Sequence, residues 1–417
     1  MARIPQCELF SWEFVGALPD LERIKLVLES LDDEELVSKL EGKRGVGRDD
    51  YPVRPMWNFV VSFLLTGHVS WAAHLRELHR NRDLASLCGF SPLKKLPGPH
   101  NLSRFLSQLL EMRIELVLMF HSLIKTLGTL LPDFGRQLAV DSKAIRSFAV
   151  ASSEKVRKDG QPDGRGEHDA AIGKKTQFVE KADGTVEERL YEWFGFKLHL
   201  MVDTQYQLPV AFAVTGGLEA DTSHLEPLLK DWQERHPDLS ARTEEISADK
   251  AYDDKDNHLA ARAMDAQLLS PTRKMWREGD GKVTNPAGEE ILLKLLPKTD
   301  VGNLAYDQDG QVYCAFHAAP DQPWSWHPMV FKGYEADREA VKYICPAKAN
   351  ECTCPCAQDC PKGPQTTVRV KLSTDLRIFT STPRHTPKFE RLYNRRTAIE
   401  RVNGILDNVL GLEWHTM

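Results

Sequence analysis

The sequence predicts an α/β protein with an all-helical N-terminal part and a cysteine-bearing insertion late in the chain. Three observations carry this. Apolar residues recur at three- and four-residue steps through about residue 132. Beyond that point short apolar runs end on an acid, QLAVD at Asp141 and EISAD at Asp249, with an alternating run at 193–202 between them. Five cysteines then crowd into the stretch from Cys345 to Cys360.

With 417 residues, 41% hydrophobic and 27% charged, the chain has room for two or three domains of ordinary size. This composition excludes wholesale disorder, collagen and a coiled coil. No apolar run approaches the ~18 residues of a membrane-spanning helix. The richest stretch, 105–131, is broken by Glu111, Arg113, Glu115 and Lys125. The N-terminal MARIPQCELFSWEF lacks the charged-then-apolar layout of a signal peptide. The expectation is a cytoplasmic, nucleoid-associated protein with no membrane partner.

A net charge of −6 argues against a uniformly basic nucleic-acid binder, but the charge is uneven. Residues 43–104 carry ten Lys or Arg against four Asp or Glu, and residues 362–401 carry ten against three. Two basic segments on an otherwise acidic chain suit phosphate contact. Two solvated faces are the competing reading.

The helices come first. Leu21, Ile24, Val27, Leu28 and Leu31 form one stripe, and Trp57, Val60, Val61, Leu64 and Leu65 another. Leu106, Leu109, Leu110, Ile114 and Val117 form a third. The stretch 70–109 reads as short helices with a turn at Gly89 and Pro92, decorated by Arg76, Arg80, Arg82, Lys94, Lys95 and Arg104. It suits either a helix-turn-helix-like DNA-contacting unit, with Arg76 and Arg80 toward DNA, or ordinary helical packing.

After residue 136 the period changes to that of strands. Residues 152–188 are polar and glycine-rich and read as a long loop. WFGFKLHLMV (193–202) places Phe196, Leu198 and Leu200 on one face, and PVAFAVT (209–215) follows after a short hairpin turn. Lys197 and His199 alternate with them and face either the cleft or solvent, and His224 flanks the same region. Residues 224–236 read as a helix and 245–249 as a further strand ending on Asp249. Residues 256 to about 372 break this rhythm and read as an insertion with its own small core. A last helix starts at Thr386-Pro387, since threonine caps well and proline suits the first helical position.

On that helix Tyr393, Arg396 and Glu400 lie at steps of three and four, hence on one face. Asp141 and Asp249 end apolar strands, and Glu400 can point into the crevice between helix and sheet. Three converging carboxylates repel one another unless cations occupy the site. Oxygen-only ligands select Mg²⁺ or Mn²⁺, and two such ions about 4 Å apart are a known solution for phosphodiester cleavage. Lys143, Lys250, Arg396 and Arg401 stand beside the acids and suit a DNA backbone. Taken singly, either Asp reads as an ordinary surface acid at a strand end.

Cys345, Cys352, Cys354, Cys356 and Cys360, with Cys314 and His317 upstream, supply enough ligands for a structural Zn²⁺. An iron–sulfur site and free thiols are the other readings of this spacing. No G-x-x-x-x-G-K-[ST] or G-x-S-x-G stretch supports a P-loop ATPase or an α/β-hydrolase.

YNRRTAIERVNGIL (393–406) resembles the Y-R-E signature of bacterial insertion-sequence DDE transposases. ADKAYD (248–253) is similar to the segment around that family's second Asp, AVDSKAI (139–145) to its first, and 195–217 to the strands between. YPVRPMWNFVVSFLLTGHVS resembles the helical domain before such cores, and CPAKANECTCPCAQDC the cysteine-bearing insertion of one branch. The resemblance spans most of the chain in order.

It implies an RNase H-like core with a mixed central sheet, and Asp141, Asp249 and Glu400 as a catalytic triad holding two Mg²⁺ or Mn²⁺ ions. Tyr393 and Arg396 would contact the transposon end or support the active site. The implied division is a helical DNA-binding domain at 1–132, a first part of the core at 133–255, the insertion at 256–375, and the core's last helix at 376–417. The implied partners are terminal inverted repeats and target DNA, bound by a homodimer or larger assembly.

Two departures stand out. The family commonly has Lys seven residues after the Glu, where this chain has Asp407. GLEWHTM closes the sequence 17 residues after Glu400, where relatives carry a further helix, which would expose Leu406, Val409 and Leu410. A truncated remnant that binds DNA without cutting it is therefore the alternative, and a nuclease for RNA–DNA hybrids is a third.

Overall fold

The computed structural model describes residues 19–44, 51–91, 93–149, 167, 169–180, 186–274, 276, 282–284, 290–296, 304–316, 325–349 and 367–412. The helical part runs α1 (Asp20–Ser30), α2 (Glu34–Arg44), α3 (Val53–Thr66), α4 (Trp71–Arg80), α5 (Arg82–Cys88), α6 (Pro99–Leu110) and α7 (Arg113–Leu130). Its punctuation is local. Ser70 caps α4 by accepting from the Ala73 N–H, and Asn81 caps α5 by accepting from the Leu84 N–H. Gly89 ends α5 at φ 93°, a left-handed position that costs glycine nothing. Trp57, Phe59, Leu78, Leu84, Leu102 and Phe105 meet in one core. Asp33, buried beside it, accepts from the Trp57 indole at 2.6 Å and pairs with Arg54.

The main sheet contains β1 (Gln137–Arg146), β2 (Ala171–Glu180), β3 (Val186–Asp203), β4 (Leu208–Gly216), β5 (Glu245–Ala248) and β6 (Gln267–Leu269). The order is β2-β3-β1-β5-β6, and β4 pairs with β3. β1 runs antiparallel to β3 and parallel to β5, and β5 is parallel to β6, so the sheet is mixed. One face packs on α8 (Leu225–Arg235) through Val140, Met201, Leu229 and Trp232. α7 joins this core with Ile124, Phe120 and Leu127. The opposite face packs Ala139, Leu198, Leu200 and Val202 against Ile399 and Val402. Alternation along each strand assigns the two sets of side chains to opposite faces.

Three expectations need correction. β2 and the first part of β3 fall in the stretch expected to be a loop (152–188). They form a two-stranded ribbon beyond the main core, with Lys174, Lys175, Thr176, Arg189 and Leu190 exposed. Such a ribbon shows no apolar alternation, so its sequence reads as loop. Second, the main sheet extends past residue 255: α9 (Lys255–Arg262) and β6 pack with it, and β6 pairs with β5. Third, the last helix is interrupted. α10 (Pro387–Tyr393), capped by Thr386, passes through a 3-10 turn at Asn394–Arg396 into α11 (Thr397–Asn408).

Between β6 and α10 lie a four-stranded sheet, from Lys294–Leu295 to Ser325–Pro328, and a three-stranded one of Val330–Glu335, Ala340–Ile344 and Thr367–Lys371. Val312, Met329, Val341, Tyr343, Val370, Ile378 and Phe379 form their core. Cys345 is half-buried, and Cys314 lies on the strand Val312–Phe316. Cys352, Cys354, Cys356, Cys360 and His317 fall outside the described residues. Among the described residues no helix is long and apolar enough to cross a membrane.

Candidate active site

Parallel pairing aligns Val140 with Ala248, so the next residues, Asp141 and Asp249, leave neighbouring strands side by side on the same face. That is the face covered by α11. Asp249 caps the 3-10 turn Lys250–Tyr252 by accepting from the Ala251 N–H. Its carbonyl oxygen accepts from the Ser270 hydroxyl at 2.9 Å. Arg396 closes the group: Nη1 donates to Asp141 Oδ2 at 3.1 Å and Nη2 to Glu400 Oε1 at 2.6 Å. Asp141 therefore has Asp249 beside it on the neighbouring strand and Glu400 across the guanidinium of Arg396.

The electrostatics follow from burial. The Asp141 carboxyl is raised above its ordinary value, first by burial and further by the Asp249 charge; the Ser142 N–H and Arg396 act the other way. Tyr393 is raised too, chiefly by burial, with the charges of Asp249 and Asp141 adding to it. The guanidinium carbon of Arg396 stands 5.9 Å from the Tyr393 ring centre, and Phe389 stacks on the other side of that ring. The 3-10 turn thus keeps Tyr393, Arg396 and Glu400 on one side.

The other expected residues are placed as follows. Lys143 is bound at 2.6 Å to Asp407, so the two charges answer one another. Arg401 is exposed and donates to Gln207 and Thr397. Arg80 pairs with Glu77 on α4, Arg76 is exposed on the same helix, and neither touches an acid of the site. Lys250 is exposed beside Asp249. Neither the cleft nor solvent receives His199. It is fully buried on the sheet's opposite face, bonded to Thr215 and stacked on His224 at 4.1 Å, because the segment leading into α8 covers it. Lys197 there pairs with Asp221. Leu406 packs under the sheet while Val409 is exposed. Sequence reasoning missed Ser270 and Tyr252, the latter buried within reach of the Asp141 and Asp249 charges. Neither residue type advertises such a place.

Among the described residues, no group of three or more His, Cys, Asp or Glu side chains is arranged to hold a metal ion. Arg396 lies between Asp141 and Glu400 and bonds to both. The donor set is nonetheless oxygen-only, with two adjacent carboxylates compensated by a single guanidinium, and this fits a hard divalent cation.

Residues 159–417 match the family model described as the transposase DDE domain. The chain belongs to this family of DDE transposases. Comparisons with curated proteins and with solved structures find no match. The matched segment takes in Asp249 and Glu400 but starts downstream of Asp141, which strand register and Arg396 bring to the site. A DDE transposase is an enzyme that acts on DNA, and the family generally uses divalent metal ions.

Proposed function

We propose that this transposase hydrolyses the phosphodiester at the ends of its insertion sequence and joins the freed 3′-hydroxyl to target DNA. Asp141, Asp249 and Glu400 are the acids of that reaction. The observation that carries the reading is the register of Val140 with Ala248, which puts two acids 108 residues apart side by side, with Arg396 linking them to Glu400. In this reading the mixed sheet, running on through β6, is an RNase H-like core, residues 1–132 are a DNA-binding domain, the insertion lies between β6 and about residue 375, and 376–417 return the last helix.

Asp141 and Asp249 would hold two Mg²⁺ or Mn²⁺ ions with Glu400. When bound, the ions activate the attacking oxygen and neutralise charge on the leaving one. Arg396 orients Asp141 and Glu400 and offsets their repulsion. Tyr393 packs against Arg396 and steadies it, while Arg401 and Lys250, both exposed, suit backbone phosphates. Lys143, paired with Asp407, stands with them near the acids as a further candidate for a phosphate. Arg76 and Arg80 belong to the end-recognition surface. The partners are terminal inverted repeats and target DNA, bound by a homodimer or larger assembly in the cytoplasm at the nucleoid. Zinc has no part in the proposal.

A strand-transfer assay with Mg²⁺ and end-containing duplex tests it. The expected result is cleaved 3′ ends and joined products that vanish in Asp141→Ala, Asp249→Ala and Glu400→Ala. Salt-sensitive binding without cleavage identifies a DNA-binding remnant instead. Preference for an RNA–DNA hybrid over duplex DNA identifies a nuclease.

A further inference from the structure

A second charged cluster, largely buried, begins four residues past Asp249. Asp253 is 1% exposed and Arg384 is 9% exposed. Arg384 Nη2 donates to Asp253 Oδ1 at 2.7 Å, and Arg377 Nη1 donates to Oδ2 at 2.9 Å. His258 and the Arg273 N–H also reach Asp253. Arg384 is saturated by other groups as well. Its Nε donates to the Ser270 carbonyl at 2.7 Å and its Nη1 to the carbonyls of Arg377 and Ile378.

These bonds form a chain with direction. Ser270 holds the carbonyl of Asp249 through its hydroxyl and is held through its own carbonyl by Arg384. Arg384 also grips Asp253 at the far end of the Asp249 loop. Two residues later Thr386 caps α10, which leads into the turn carrying Arg396 and on to Glu400. A buried guanidinium with three carbonyl anchors beside one carboxylate imposes a directional geometry that apolar packing does not.

We propose that Arg384 is a positioning residue that locks the Asp249 loop to the helix carrying Arg396 and Glu400, so that the acids keep their mutual geometry. The inference rests on the reading of those acids given above.

The test uses the full chain with Arg384→Met/Asp253→Asn, which removes the two most buried charges together and leaves the partly exposed Arg377 its bond to the Arg273 carbonyl. Arg384→Lys, which keeps a cation beside Asp253 but gives up the guanidinium's bonds to the carbonyls, is the second variant should the first fail to fold. Thermal unfolding and salt-dependent DNA binding monitor the fold. Mn²⁺ uptake by electron paramagnetic resonance and cleavage rate report the site. The expected result is near-parental unfolding and DNA affinity, with Mn²⁺ affinity lower by about tenfold and cleavage lower by about 100-fold. A merely structural role lowers the unfolding midpoint and leaves Mn²⁺ affinity alone, and that result overturns the proposal. If Asp249→Ala abolishes Mn²⁺ uptake while the Arg384 variant keeps it, the reading of the acids stands and this inference falls. A parental chain that neither takes up Mn²⁺ nor cleaves overturns both.

Discussion

Replacing Arg396 by methionine removes the guanidinium that links Asp141 to Glu400 while keeping most of the side-chain bulk. Two charge-assisted bonds are lost, and they are unequal. Glu400 is more than half exposed, so its bond is worth about 0.5 kcal/mol. Asp141 is largely buried, so its bond to Arg396 is worth about 1.5–3 kcal/mol. The variant should therefore lose about 2–3.5 kcal/mol in metal-free buffer at neutral pH. A double-mutant cycle with Asp141→Asn, read by urea unfolding, isolates the larger share as a coupling energy. The pH dependence has a definite sign. The Asp141 carboxyl is raised in the folded chain, mainly by burial, so its contribution to stability is present at low pH and lost as the pH rises through the raised value. Arg396→Met removes a charge that opposes the rise, so its cost should be larger at pH 7 than at pH 4. A coupling energy below about 0.5 kcal/mol, or a cost that does not grow with pH, refutes the electrostatic account of this site.

Three further outcomes are expected. Asp203 is buried, accepts from the N–H groups of Gly135, Gln205 and Tyr206, and is pushed up to about 6 by burial. Stability should fall as the pH rises from the ordinary carboxylate range through 6, and Asp203→Asn should remove that slope from urea-unfolding profiles. Lys143→Met strands Asp407 and should cost about 1 kcal/mol; pairing it with Asp407→Leu should recover most of the loss in thermal unfolding. Gly128→Ala would put a methyl 2.7 Å from Leu239, so it should destabilise by about 1–3 kcal/mol. A neutral result there would mean that α7 is not docked as described.

Much of this architecture is written locally. The stripes of Leu, Val and Trp before residue 132 sit on real helices because period and burial agree along a single element. Ser70, Asn81 and Thr386 end or begin helices where their short polar side chains meet a free N–H, a contact made within three residues. Asp141 and Asp249 stand out because an apolar run that stops on an acid marks the end of a strand. The spacing of Tyr393, Arg396 and Glu400 is local too, and it survives the 3-10 turn between them.

Other features depend on partners far away in the chain. Nothing near His199 announces that it would be buried against His224, since the covering segment is more than twenty residues on. The ribbon of β2 and β3 escapes a reading based on alternation because Lys174, Lys175 and Thr176 of one strand and Arg189 and Leu190 of the other are exposed in succession. Lys143 meets its partner Asp407 from 264 positions downstream, a pairing that no local pattern announces. Helix periods, caps and acid-terminated strands are properties of a few adjacent residues, and the amino-acid order states them outright. Which carboxylate stands beside which, and which guanidinium lies between them, is settled only when strand register and helix packing bring distant segments together, because Coulomb forces and hydrogen bonds act on distance in space and not along the chain.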